Sequence, residues 1–221
     1  MNFSQKIAAI FLAVFLLTTF STAQMMRSGP PQFQGVLNPV IGQGAVYQVQ
    51  GSDGKKTEME IAILGKDSVD GKDAYWMQMV MSNSEMGGQM VIKHLFVLDG
   101  QESHTTRTIM QMPGRPPMEM PSQMAHRERS TQTTDIRTDA QDLGSESLTV
   151  PAGTFATEHY RSKDGTDVWV AKDVPPWGLV KSQGKDSTMV LLKVVSQAKD
   201  KIVGTPQPFN PMMMGQRPDQ Q

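Results

Sequence analysis

The sequence predicts an all-β domain, a curved antiparallel sheet or half-barrel meander with at most one or two short helices. Two observations carry the prediction. Apolar and polar residues alternate with period two along most of the chain, and Asp-Gly pairs separate the alternating runs. Period two puts every second side chain on one face of a strand. Asp-Gly suits a tight hairpin turn because glycine reaches positive φ without a Cβ clash.

The elements follow in order. In "AVYQVQ", Ala45, Tyr47 and Val49 share a face, and in "EMEIAIL", Met59, Ile61 and Ile63 stand opposite Glu58 and Glu60. Asp53-Gly54 lies between these runs, and the pair recurs at Asp70-Gly71, Asp99-Gly100 and Asp164-Gly165. Further strands are expected in "AYWMQMVMS", "QMVIKHLFVL", "HTTRTIMQM", "TFATEHYRS" and "TDVWVA", closed by "GLVKSQG" and "STMVLLKVV". From Pro113 to about Gly144 the rhythm breaks into a long Pro-, Thr- and Gln-rich stretch. A short helix after Pro121, capped by Ser122, is expected there.

The ends read differently from the middle. Residues 1–23 read as an export signal, with Lys6, the apolar run "IAAIFLAVFLL", and Ser21 and Ala23 before cleavage at Gln24. That run covers about half of a bilayer's ~30 Å hydrocarbon layer, which argues against a membrane anchor. The chain has no cysteine, so it carries no lipidated cysteine, disulfide or thiolate metal site. The expectation is a protein exported to the periplasm or secreted, with no stable membrane anchor once the signal is removed. Residues 24–43 read as a flexible N-terminal segment, 44–203 as the β domain and 204–221 as a disordered C-terminal tail, from their Pro, Gly and Gln content. A formal charge of -1 with scattered Lys and Arg excludes the basic footprint of a nucleic-acid binder.

Residues 143–194 carry "VPAGTF" at 150–155, a strand around Trp169, "PPWGLVKS" at 175–182 and a final apolar strand. Together with "GKDAYWMQM" and "MPGRPPMEMP", this stretch resembles the exported bacterial domains of unknown function whose half-barrels are similar to the LolA/LolB lipoprotein carriers. The resemblance implies an antiparallel sheet bent around an apolar hollow. The chain departs from lipoprotein members by lacking the lipidated cysteine. Read for themselves, Pro151 and Gly153 make a turn and "DVPPWGLV" a rigid bend.

No catalytic signature is present: there is no G-x-S-x-G elbow, phosphate-cradling glycine loop or reactive cysteine. The expectation is a non-enzyme without cofactor, leaving open a cryptic site built from Glu158, His159 and Asp167. The four histidines, His94, His104, His126 and His159, fall on separate segments without close metal-ligand spacing. Chemistry is then sought in the 18 methionines. Met77, Met79 and Met81 share one strand face, and Met90 shares another with Ile92 and Phe96. Such thioethers either pack a core or line an adaptable hollow. In the loop 110–126, Met110, Met112, Met118, Met120, Met124 and His126 offer soft donors for Cu(I). The prolines Pro113, Pro116, Pro117 and Pro121 stiffen that loop in extended form, which favours a spread apolar edge over convergence on an ion. Trp76, Trp169 and Trp177 are core anchors or pocket walls. The expected ligand-binding set is therefore Trp76, Met77, Met79, Met81, Phe96, Met110, Met112, Met118, Met120, Trp169 and Trp177. Its expected ligand is an apolar or lipid-like small molecule, with a Cu(I)-binding loop and a protein-interaction module of the envelope as alternatives.

Overall fold

The computed structural model describes residues 35–83, 87–100, 102–121, 132–133 and 135–210. They form one open, curved sheet. A first run of antiparallel hairpins comprises β1 (Gln43–Gly51), β2 (Lys56–Val69), β3 (Lys72–Asn83), β4 (Gly88–Asp99) and β5 (Glu102–Gln111). Two short strands, β6 (Met118–Glu119) and β7 (Gln132–Thr133), both pair with β5. A second run comprises β8 (Gln141–Val150), β9 (Gly153–Arg161), β10 (Asp167–Val170), β11 (Leu179–Gln183) and β12 (Ser187–Ser196). A last short strand is β13 (Gln207–Pro208). Each run is a meander, and β1 pairs with β12 to fuse the two into a single sheet.

The period-two reading holds, since "YWMQMVM" lies in β3 and "MVIKHLFVL" in β4. All four Asp-Gly pairs lie at strand ends. At the β2–β3 turn Asp70 has φ 52 and Gly71 φ 77, and Val69 pairs with Lys72 across it. Two successive positive φ values define the two-residue turn whose twist matches that of paired strands.

Three features differ from the sequence expectations. The sheet is mixed rather than wholly antiparallel, because β13 runs parallel to β6. Residues 204–210, placed in the tail, belong to the described fold and include β13. They are held because Gln207 N donates to Pro117 O (2.9 Å) and Phe209 N to Glu119 O (3.1 Å). Within the segment 24–43 expected to be flexible, Val36 and Asn38 are hydrogen-bonded to the 171–178 loop and Gln43 opens β1. The helix expected after Pro121 lies outside the described residues. One 3-10 turn, Ile136–Thr138, is capped by Asp135, whose side chain accepts from Arg137 N.

The registers define two faces. Tyr47 pairs with Met59 and Leu191, Ile61 with Met79, and Ile63 with Met77, so these side chains share one face, the inner one. Tyr47, Met59, Ile61, Ile63 and Leu191 are fully buried. The Tyr47 hydroxyl donates to Leu179 O (3.1 Å), tying β1 to β11, and its burial drives its pKa upward. In the second run the segment 35–38 lies along the 171–178 loop. Val36 N donates to Trp177 O (2.8 Å), Asn38 N to Pro176 O (2.6 Å), and Ile136 N to Gly35 O (2.8 Å). The approach requires glycine, because a Cβ on Gly35 would sit 2.1 Å from Trp177 O.

The outer face of the first run is crossed by residues 198–210. The Gln78 amide donates to Lys199 O (3.1 Å) and accepts from Lys201 N (2.7 Å). The Gln111 amide donates to Val203 O (3.1 Å) and accepts from Val203 N (2.9 Å). Lys93 pairs with Asp200. This strap explains a polar side chain in the core: Gln78 is buried with both ends of its amide satisfied.

Candidate functional site

The register assembles a methionine surface that alternation within single strands does not show. Met81 stands opposite Met59 and Met90. Met79 stands opposite Ile61 and Ile92, Ile92 opposite Met110, and Met110 opposite Met118. Met77 stands opposite Ile63 and His94. Phe96 stacks on Tyr75 on the same face, with ring centroids 5.9 Å apart. Met79, Met118 and Phe96 are buried, whereas Met77, Met81, Met110, Met112 and Met120 are half-buried. Met120 N donates to Thr108 O, which docks the segment after β6 back onto β5. Among these thioethers His94 hydrogen-bonds Thr108 Oγ1 through Nδ1 (2.9 Å), and burial lowers its pKa to about 4. Met124 and His126 lie outside the described residues.

The tryptophans go elsewhere. Trp76 pairs with Leu95 on the outer face, beneath Lys93 and Arg107 at 5.0 and 5.4 Å from the ring centroid. The irregularity between Ile63 and Gly65 falls where β2 passes Trp76. Trp169 also faces outward, stacked on His159 (4.2 Å) with Lys181 Nζ 4.7 Å from its centroid. Trp177 is buried in the 171–178 loop. Neither Trp76 nor Trp169 therefore shares a surface with Met77, Met79 and Met81.

The trio considered for cryptic chemistry is split by the sheet. His159 and Asp167 face outward, with Nε2 to Oδ1 at 3.1 Å, and the other ring nitrogen lies 3.4 Å from Glu146 Oε1. Trp169 Nε1 donates to the same Glu146, and Arg161 Nε donates to Asp167 (2.9 Å), holding that carboxyl below its usual range. Glu158 points to the inner face and accepts from the Tyr160 hydroxyl (2.9 Å). Burial, reinforced by Glu158, pushes Tyr160 up to about 12. Among the described residues no group of three His, Asp or Glu is placed to hold a metal ion.

A cavity of about 910 Å³ lies beside Glu158 on the second run. Val36, Leu37, Phe155, Ala156 and Val170 supply apolar walls, and Arg137, Lys172, Glu158 and Asp173 supply charge of both signs. Arg137 is oriented by Asp135, through Nε (2.8 Å) and Nη2 (2.7 Å), and this pairing depresses the Asp135 carboxyl. None of the expected ligand-binding residues lines this cavity. Its walls come from segments 36–38, 137, 145, 154–158, 170–173 and 178, which are far apart in sequence. The one local signal was "VPAGTF", which sets Phe155 at the start of β9.

No protein-family description matches the chain, and no curated protein matches it. Among solved structures it is similar to a candidate exported protein with a YmcC-like fold from Bacteroides fragilis, at 13% identity and TM-score 0.36, covering 73% of this chain and 99% of that one. It is similar to a candidate lipoprotein from Parabacteroides distasonis at 14% identity and TM-score 0.35, covering 74% and 100%. It is also similar to MucB in complex with MucA(peri), at 11% identity and TM-score 0.42, covering 74% of this chain and 53% of that one. At such identities and TM-scores these likenesses decide neither family nor function, and the LolA/LolB likeness stays a resemblance.

Proposed function

We propose that this chain is a non-catalytic, exported binding domain of the bacterial envelope that takes an apolar or amphipathic ligand in the cavity beside β8, β9 and β10. The cavity carries the reading. Its volume of about 910 Å³ falls within the range of small-molecule sites, and its walls combine apolar side chains with a few charged ones. Binding would draw on burial of ligand hydrocarbon at about 25 cal/mol per Å², with Arg137 and Glu158 orienting a polar end. Export is supported by the signal-like residues 1–23. The non-catalytic reading is supported by the separation of Glu158 from His159 and Asp167 on opposite faces of the sheet.

The test is a lipid extract of the purified protein analysed by mass spectrometry, together with titration of a fluorescent fatty acid. Ala156→Trp, which fills the cavity, is expected to abolish probe binding while leaving the thermal midpoint close to that of the parent. An empty extract together with no probe binding by the parent protein overturns the reading.

A second reading, Cu(I) binding on the methionine face, is favoured by one observation. Met110 stands directly opposite Met118 on the same face as a His94 whose imidazole burial keeps neutral. Its test is Cu(I) titration of the parent and of a variant with Met110, Met112, Met118 and Met120 all changed to Leu. That change keeps apolar volume and removes the sulfur donors. Tight copper binding lost in the variant supports this reading, and copper binding unchanged by the substitutions removes it.

A further inference from the structure

The strap of residues 198–209 is held by hydrogen bonds to its backbone, backed by half-buried Ala198, Ile202, Pro206 and Phe209. Gln78 and Gln111 each offer one amide to a strap carbonyl and a strap N–H, the exchange a neighbouring strand would make. Gln207 and Phe209 continue the pattern against the edge of β6. Lys93 with Asp200 adds an ion pair specific to one strap side chain. Apolar anchoring is partial: Ala198, Ile202, Pro206 and Phe209 are half-buried, whereas Val203 is 74% exposed. The groove is thus a site for an extended chain carrying a carboxylate opposite Lys93.

Where the strap leaves β12, Gln197 has φ 64, a left-handed conformation that a side chain bearing Cβ adopts at a cost. An extended residue 197 would relieve that cost and carry the strap away from its own groove.

We propose that this groove is an interaction surface for a second copy of the chain, whose residues 198–209 enter it in reciprocal exchange with Gln197 as the hinge. The second copy brings the matching carboxylate and the same backbone. The hydrogen bonds and the ion pair that hold the strap within one chain re-form between two, and the exchange closes as a two-fold pair.

The test uses two full-length variants, Lys93→Asp and Asp200→Lys. Within either chain the groove and strap carry like charges. Between the two, both pairings are opposite in charge. Native mass spectrometry is expected to show each variant alone as a monomer and the mixture, after brief partial unfolding, as a one-to-one dimer. Independently, Gln197→Gly removes the cost of the left-handed hinge and is expected to lower dimerisation of the otherwise native chain about fivefold per hinge, on the order of 30-fold for two. Gln197→Val is expected to raise it. A mixture that stays monomeric, or a dimer indifferent to residue 197, overturns the proposal.

Discussion

His94 ties stability to pH with a sign and size set by its surroundings. The imidazole lies on the inner face opposite Met77 and Thr108, and burial lowers its pKa from 6.5 to about 4. In the unfolded chain it takes up a proton near pH 6.5, whereas in the folded chain it stays neutral until about pH 4. Between those values the unfolded state holds the extra proton, so stability falls as pH drops and levels off below the folded value. The interval corresponds to about 3 kcal/mol. Urea unfolding of the parent and of His94→Gln, at about pH 7.5 and about pH 4, measures it. Carboxylate contributions are shared by both proteins and cancel in the difference. The parent is expected to lose about 3 kcal/mol more than the variant over this range. Parallel pH dependences for the two proteins would refute the argument that burial among thioethers keeps this ring neutral.

Further substitutions test the frame around the site. Gly71→Val forces a β-branched residue to φ 77 beside Asp70 at φ 52, and is expected to cost about 1–2 kcal/mol in urea unfolding. An unchanged midpoint would argue against the tight turn. Gly35→Ala places a Cβ against Trp177 O and must push the 35–38 segment off the 171–178 loop. It is expected to weaken cavity-probe binding, and unaltered binding would show that this segment is not a fixed wall. Gln78→Leu removes two hydrogen bonds to the strap and is expected to cost about 2 kcal/mol. Faster amide exchange at Lys201 is the matching signature, and unchanged protection there would show that the strap does not depend on Gln78.

Strand identity was legible because it is a local property. Alternation in "YWMQMVM" and the left-handed conformation available to Asp70-Gly71 depend on neighbours along the chain, and both survive in the fold. Faces across strands are less legible. A single irregularity in register changes which residues of the next strand share a surface. Such irregularities occur at Val46/Tyr47, Ile63/Gly65, Leu95/Phe96, Asp142/Gly144 and Trp169/Val170. Trp76 parts from the methionines for a local reason, since it immediately precedes Met77 in β3 and alternation alone sets the two on opposite faces. The face of Trp169 follows only from its pairing through Lys181 to Val190 of β12. The strap was hidden for a different reason. Its hold comes from side-chain amides on β3 and β5 reading backbone, so "AKDKIVGTPQPF" itself needs no apolar periodicity to be ordered.

The same logic explains why the cavity was invisible while the methionines were conspicuous. Methionine is counted residue by residue, and a run rich in it draws attention whether the thioethers fill a core or face a ligand. The burial of Met59, Met79 and Met118 shows that much of this surface packs against the protein itself. The cavity instead arises where packing is incomplete, between a short β10 of only 4 residues and a longer β8–β9 hairpin. Glu158 pairs with Val170 at the end of β10, so residues 154–157 of β9 run on past it. The segments 36–38 and 170–173 line the space beside that overhang, with the Arg137 turn among its walls. A mismatch in strand length, rather than any chemical motif, makes the hollow. Lengthening the paired part of β10 would remove it without changing a single methionine.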